Sequence, residues 1–236
     1  MRLKLLIIVF TLAIISTCQS EVFTLWPYRG SGKSKNILSL PGMQEGSLHK
    51  EKINFNGLNL TLEISKTTEK WPDLIQFFQS KFEKNEVSMM KDAIRCAYKL
   101  PNGNIERILL VFAGENHPVT VFRITAPAKL PHPVWPNILP PLPAGSKPVS
   151  VMKFAKDGSI YGTFTGAKET IAEEHLRDYD SSLRANGWKA VSGEAFPGGG
   201  GSGEVYMSKK KKQILMINFD SKGRGFFYLR KSNHAF

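Results

Sequence analysis

The sequence predicts an α+β protein built as a tandem duplication, each copy an antiparallel sheet covered by one helix. Three observations carry that expectation. The order hairpin, helix, then short strands occurs twice. Asn56-Gly57 and Asp157-Gly158 mark the opening hairpin of each copy. Eight of the 14 prolines fall within residues 127–148 and separate the copies.

The first copy opens with alternating apolar residues from Ile53 to Ile64, on both sides of Asn56-Gly57. Asn-Gly favours a tight hairpin because both residues of a type I′ turn need positive φ. In the second copy, Val149 to Phe164 surrounds Asp157-Gly158, which takes the place of the Asn-Gly turn. A helix follows each hairpin. Pro72 suits a first helical turn, where a missing N–H costs nothing. Leu74, Ile75, Phe77, Phe78 and Phe82 then recur at helical spacing. This predicts a helix over Pro72–Phe82.

The second helix is predicted over Glu169–Arg184, with Ile171, Leu176, Tyr179 and Leu183 on its apolar face. Glu169, Glu173 and Glu174 near its start and Arg184 near its end suit the helix dipole. Asn186-Gly187 supplies a left-handed C-cap onto which Trp188 folds back. Phe78, Phe82, Leu176, Tyr179 and Trp188 are the expected core anchors. Strands follow at Ala93–Tyr98, Arg107–Phe112 and Val119–Ile124, matched by Glu204–Met207, Gln213–Phe219 and Gly225–Arg230. Short returns between neighbours require antiparallel pairing.

The boundaries read as an export signal at 1–20, a tether or irregular segment at 21–50, a first lobe at 51–126, a proline-rich connector at 127–148 and a second lobe at 149–236. Proline excludes the connector from helix and central strand. Val134, Trp135, Ile138, Leu139 and Leu142 make it too apolar to hang free, so it should lie against a lobe.

The leader has Arg2 and Lys4 before an apolar run from Leu5 to Ile15, and a small, polar stretch from Ser16 to Ser20. Such a run is too short for a permanent span, which needs about 20 residues. This is the pattern of an export signal. Two processing routes fit. Cleavage after Ser20 leaves a soluble exported chain starting at Glu21. Alternatively, Ile15-Ser16-Thr17-Cys18 resembles a bacterial lipobox, which implies lipid attachment at Cys18. It departs from that pattern at Thr17, where Gly, Ala or Ser is usual. Localisation is therefore periplasmic, lipid-anchored at a membrane, or extracellular.

Cys18 and Cys96 are the two cysteines, which excludes a disulfide-stapled domain. Cys96 alternates with Ile94 and Tyr98 and should pack as a small hydrophobe. Lys and Arg total 32 against 20 acidic residues, for a net charge of +12. A basic chain suits an anionic membrane surface or envelope polymer. The charge is scattered rather than gathered into the stripe that nucleic acid would select, and nucleic acid is not the expected partner.

Gly30-Ser31-Gly32-Lys33-Ser34 ends like a phosphate-binding loop, but Pro27 stands where the motif needs its first glycine, so no nucleotide cofactor is expected. Gly198 to Gly203 reads as a loop. Lys209, Lys210, Lys211 and Lys212 lie between two strands as a hairpin tip that could touch lipid headgroups or another polyanion. The five histidines stand apart from one another and from acids at ligand spacing, and no metal or catalytic residue is assigned. Two functions fit: a non-catalytic binding or structural module of the cell envelope, which the absence of a catalytic motif favours, and an envelope-polymer hydrolase with distant acids brought together.

Overall fold

A computed structural model describes residues 28–30, 33–43, 49–142, 145–166, 172–191, 202–208, 210, 212–219 and 224–231. The described chain is mostly antiparallel sheet, with twelve strands and two short helices. It divides into two compact units: Leu25–Asn54 with Leu58–Pro131, and Phe55–Gly57 with His132–Phe236. The leader, Cys18, Ile171, Lys209, Lys211, and Gly198 to Gly201 lie outside the described residues, as do the side chains of Glu173, Glu174, His175 and Leu176.

The opening hairpin is β1 (His49–Phe55) and β2 (Leu58–Thr67), which belongs to the first unit apart from its tip at Phe55–Gly57. They are joined through Asn56 at φ 49° and Gly57 at φ 90°, the positive pair that the Asn-Gly sequence demands. Helix α1 (Trp71–Lys81) follows, then β3 (Val87–Met89), β4 (Ala93–Lys99), β5 (Ile105–Val111) and β6 (Val119–Ala126). Their order across the sheet is β3-β4-β5-β6-β2-β1.

Helix α1 has Pro72 in its first turn, Asp73 near its start and Lys81 near its end, an arrangement matched to the helix dipole. It begins at Trp71, one residue before the proline-based prediction, and ends at Lys81, leaving Phe82 as its extended C-cap. Its buried face, Trp71, Leu74 and Phe78, packs with Phe82 on Ile94, Cys96, Tyr98, Ile108, Leu110, Val119 and Val121. Phe78 stacks on Phe82, and Phe82 leans on Tyr98 with ring centres 5.3 Å apart. β5 is buried along its whole length, so Ile105, Arg107, Leu109 and Val111 are covered as well as the face toward α1.

The second unit contains β7 (Lys147–Phe154), β8 (Ile160–Thr165), α2 (Ala172–Ala185), β9 (Lys189–Ala190), β10 (Ser202–Ser208), β11 (Gln213–Phe219) and β12 (Arg224–Lys231). The order is β7-β8-β12-β11-β10-β9. Tyr179, Leu183 and Trp188 bury against Phe164, Tyr206, Leu215, Ile217, Phe219, Phe227 and Leu229. The end of α2 follows the predicted cap. Gly187 sits at φ 80°, its N–H donates to Arg184 O, and Trp188 N donates to Leu183 O, both at 3.0 Å.

Three local expectations change. Asp157-Gly158 is not a two-residue replacement for Asn-Gly. The strands stop at Phe154 and resume at Ile160, and Gly158 has positive φ whereas Asp157 does not. Asp157 instead turns its carboxylate back on Ser159, accepting from its N at 3.0 Å and its Oγ at 2.6 Å. That Asx-type turn suits a longer loop. Helix α2 is described from Ala172 rather than Glu169, because residues 167–171 lie outside the described set. Edge strands β3 and β9 add to the predicted strands.

Two flanking segments complete the units. Residues 33–43, expected within a tether, have no helix or strand of their own. Yet they bond along their length to the first unit and bury Leu40 in its core. Connector residues Trp135, Leu139 and Leu142 pack on the core of the second unit. Trp135 donates its indole N–H to Pro140 O at 2.8 Å, and a Cβ on Gly162 would lie 2.7 Å from its ring. Val134 and Ile138 face solvent.

Candidate functional site

Two polar clusters of the first unit lie at the end of α1 and along β4–β6, each in contact with residues 33–43. β4 alternates, so Ile94, Cys96 and Tyr98 all point toward α1. β5 places Glu106 opposite Tyr98, and β6 brings Arg123 beside it. Tyr98 donates its hydroxyl to Glu106 Oε2. Arg123 Nη1 donates to Glu106 Oε1 at 3.2 Å, while its Nη2 donates to Leu38 O at 2.6 Å. Leu38 N donates to Tyr98 Oη at 2.9 Å. Both backbone groups of Leu38 are thereby held by side chains.

Burial pushes the Glu106 carboxyl above the ordinary glutamate range, and the Arg123 guanidinium pulls part of the way back. Desolvation is the larger effect, so the site favours the protonated acid relative to water. The cluster has an acid with a raised pKa, but its contacts are to the chain itself. Glu106 engages Tyr98 and Arg123, and through them holds backbone.

A second cluster lies at the C-terminal end of α1. The Glu86 side chain is 1% exposed, and its Oε2 accepts from the Lys35 ammonium and from Glu83 N at 3.2 Å. Its Oε1 is buried and accepts no hydrogen bond among the described residues. Lys35 Nζ also donates to Lys81 O at 3.3 Å and sits 4.4 Å from the centre of the Phe82 ring. Carboxylate, helix-end carbonyl and aromatic face are three features that favour an ammonium.

Cys96 lies buried beneath this cluster. Desolvation, and then the nearby Glu86 charge, push its thiol well above the ordinary range, with Lys35 offsetting part. A thiol held protonated is a poor nucleophile, which agrees with the packing role read from the sequence. Arg107 is 2% exposed on the opposite face of β5. Burial brings its guanidinium down to about 10, and its Nη1 reaches Ile105 O at 3.5 Å.

In the second unit, Asp180 joins α2 to β10. Its Oδ2 accepts from Arg184 Nε at 2.6 Å and its Oδ1 from the buried Tyr206 hydroxyl at 3.1 Å. Tyr179 donates its hydroxyl to Pro141 O in the connector. Burial raises the pKa of both tyrosines, so each stays protonated and able to donate.

Of the residues singled out from the sequence, Lys210 and Lys212 are exposed on the turn between β10 and β11, and Lys212 has φ 50°. Cys18, Lys209 and Lys211 lie outside the described residues. The Tyr98–Glu106–Arg123 and Lys35–Glu86 clusters were missed. The one local signal, for the first of them, is Ile105-Glu106-Arg107 at the head of an otherwise apolar strand. Among the described residues, no group of three or more His, Cys, Asp and Glu side chains could hold a metal ion. Among them also, no helix is long and apolar enough to cross a membrane. No protein-family model, curated protein or solved structure matches the chain.

Proposed function

We propose that this chain is an exported, non-catalytic binding or structural module of the cell envelope, formed by duplication of one hairpin–helix–strand unit and carried on a lipid at Cys18. The observation that carries the duplication is strand order. Read from its last strand to its first, the second unit runs β9-β10-β11-β12-β8-β7, element for element the order β3-β4-β5-β6-β2-β1. In each, the helix falls between the second and third strands. The flanking segments add support. Residues 33–43 precede the first hairpin and bury Leu40, while residues 132–142 precede the second and bury Leu139.

The non-catalytic reading is supported by what the buried ionisable groups touch. Glu86 meets Lys35, Glu106 meets Arg123 and Tyr98, and Asp180 meets Arg184 and Tyr206. These groups fasten strand, helix and flanking segment. In these groups no Ser, Thr or Cys is hydrogen-bonded to a base.

The export and anchoring parts rest on the leader and on the cysteine that closes it. Acyl chains on Cys18 would hold the chain at a membrane, and exposed lysines such as Lys210 and Lys212 would add attraction to anionic headgroups of about 1 kcal/mol for each one well placed. Cys18→Ala should move the protein from the membrane to the soluble fraction, whereas high salt alone should not. Mass spectrometry of the mature N-terminus decides the matter. An unmodified chain beginning at Glu21 sinks the anchor and leaves a soluble exported module.

A further inference from the structure

Residues 34–42 meet the first unit as a ligand meets a groove. The segment contributes no strand to the sheet; Ser34 makes one isolated bridge to Lys99, and Lys35 N donates to Lys99 O at 2.8 Å. The body of the unit then reads it residue by residue. The Lys35 ammonium enters the socket of Glu86, Lys81 O and the Phe82 ring. Ile37 is 72% exposed and unread. Leu38 has its N–H and C=O held by Tyr98 and Arg123, while its side chain packs half-buried against the apolar core.

Leu40 drops into the apolar core. Pro41 O accepts from Thr67 Oγ1 at 2.7 Å, and Gly42 O from Thr68 N at 3.0 Å. Alternating side-chain pockets with backbone hydrogen bonds between them is how proteins bind extended peptides.

We propose that the first unit carries a peptide-binding groove, filled in cis by its own residues 34–42, that selects an extended Lys-x-x-Leu-x-Leu-Pro segment, and that its occupant in trans is the same segment of a second copy. The second copy is the favoured occupant because its segment satisfies every pocket by construction, and exchange of an identical element is a low-cost route to a dimer. This goes beyond the anchored-module reading and stands whether or not Cys18 is acylated.

The test uses two full-length variants. Lys35→Ala with Leu40→Ala weakens the strap and leaves the groove intact. Glu86→Gln with Arg123→Ala weakens the groove and leaves the strap intact. A synthetic peptide of residues 33–43 should bind the strap variant in the tens of micromolar and bind the parent, whose groove is filled, at least tenfold more weakly. Mixed in equal amounts, the two variants should form a heterodimer in sedimentation, while each alone stays at its own size. A folded strap variant that ignores the peptide overturns the groove. Peptide binding without a heterodimer overturns the second copy as occupant.

Should the strap variant fail to fold, Lys35→Ala alone is read by hydrogen exchange. At least tenfold faster exchange at the Lys35 and Leu38 amides, with β4–β6 unchanged, supports a separable strap; loss of protection throughout the unit overturns it.

Discussion

The two units share an order of elements but close their cores by different chemistry. The first is closed by residues 33–43, held by charge: Lys35 on Glu86, and Arg123 spanning Glu106 and Leu38 O. The second is closed by residues 132–142, held by aromatic contact. Trp135 lies edge-on to Phe227 with ring centres 5.7 Å apart, and neutral hydroxyl and indole donors bond to proline carbonyls. The same task, covering one end of a helix-on-sheet core with the chain that precedes the hairpin, is met with buried ions in one place and buried rings in the other. Buried ions respond to pH and need exact partners, whereas buried rings respond to volume.

The largest effects should come from what the units have in common. Phe78 and Phe227 are both 0% exposed in their cores. Truncating either to Ala should cost about 3–5 kcal/mol, measured by chemical denaturation. A near-neutral result at one of them would mean that the two cores are not comparable.

Overpacking should test how tightly the second unit is closed. A Cβ at Gly162 meets the Trp135 ring at 2.7 Å, and one at Gly225 meets Asn218 O at 2.5 Å and the Phe164 ring at 2.6 Å. Gly162→Ala and Gly225→Ala should each destabilise by about 1–3 kcal/mol. No loss of stability at Gly162 would show that the connector packs loosely.

Titration should test the first unit. The folded state raises the Glu106 pKa, chiefly by burial. Its contribution is therefore full below the ordinary glutamate value and fades as pH rises through the folded value. Glu106→Gln should flatten that part of the stability-versus-pH curve. A variant whose slope above the ordinary glutamate range matches the parent's would remove Glu106 as its source.

The smallest expected effect is at the turns. Asp157→Ala removes the acceptor for Ser159 N and Oγ and should cost about 0.5–1.5 kcal/mol. A silent substitution there would show that Gly158 alone sets the loop.

What was legible in the sequence was whatever depends on near neighbours. The Asn56-Gly57 turn, the Gly187 cap with Trp188, and the alternation of Ile94, Cys96 and Tyr98 each follow from residues within a few positions. The closing segments were not legible in the same way. Arg123 and Leu38 are 85 positions apart, and Lys35 and Glu86 are 51 apart. Nothing local marks Lys35 as different from the other lysines. β3 and β9 span three and two residues, too short for a period to register. Arg107 shows the limit of alternation, because a strand covered on both faces has no solvent side to which its charge can be assigned.

Cys96 has a practical consequence. Its thiol is wholly buried under Phe82 and the Lys35–Glu86 pair, so a water-borne maleimide cannot reach it while the unit is closed. In a Cys18→Ala background it is the single sulfhydryl of the chain. The rate at which it takes up label then becomes a clock for opening of the first unit, readable in living cells without any added probe site. The same shielding would keep it from forming mixed disulfides in an oxidising compartment.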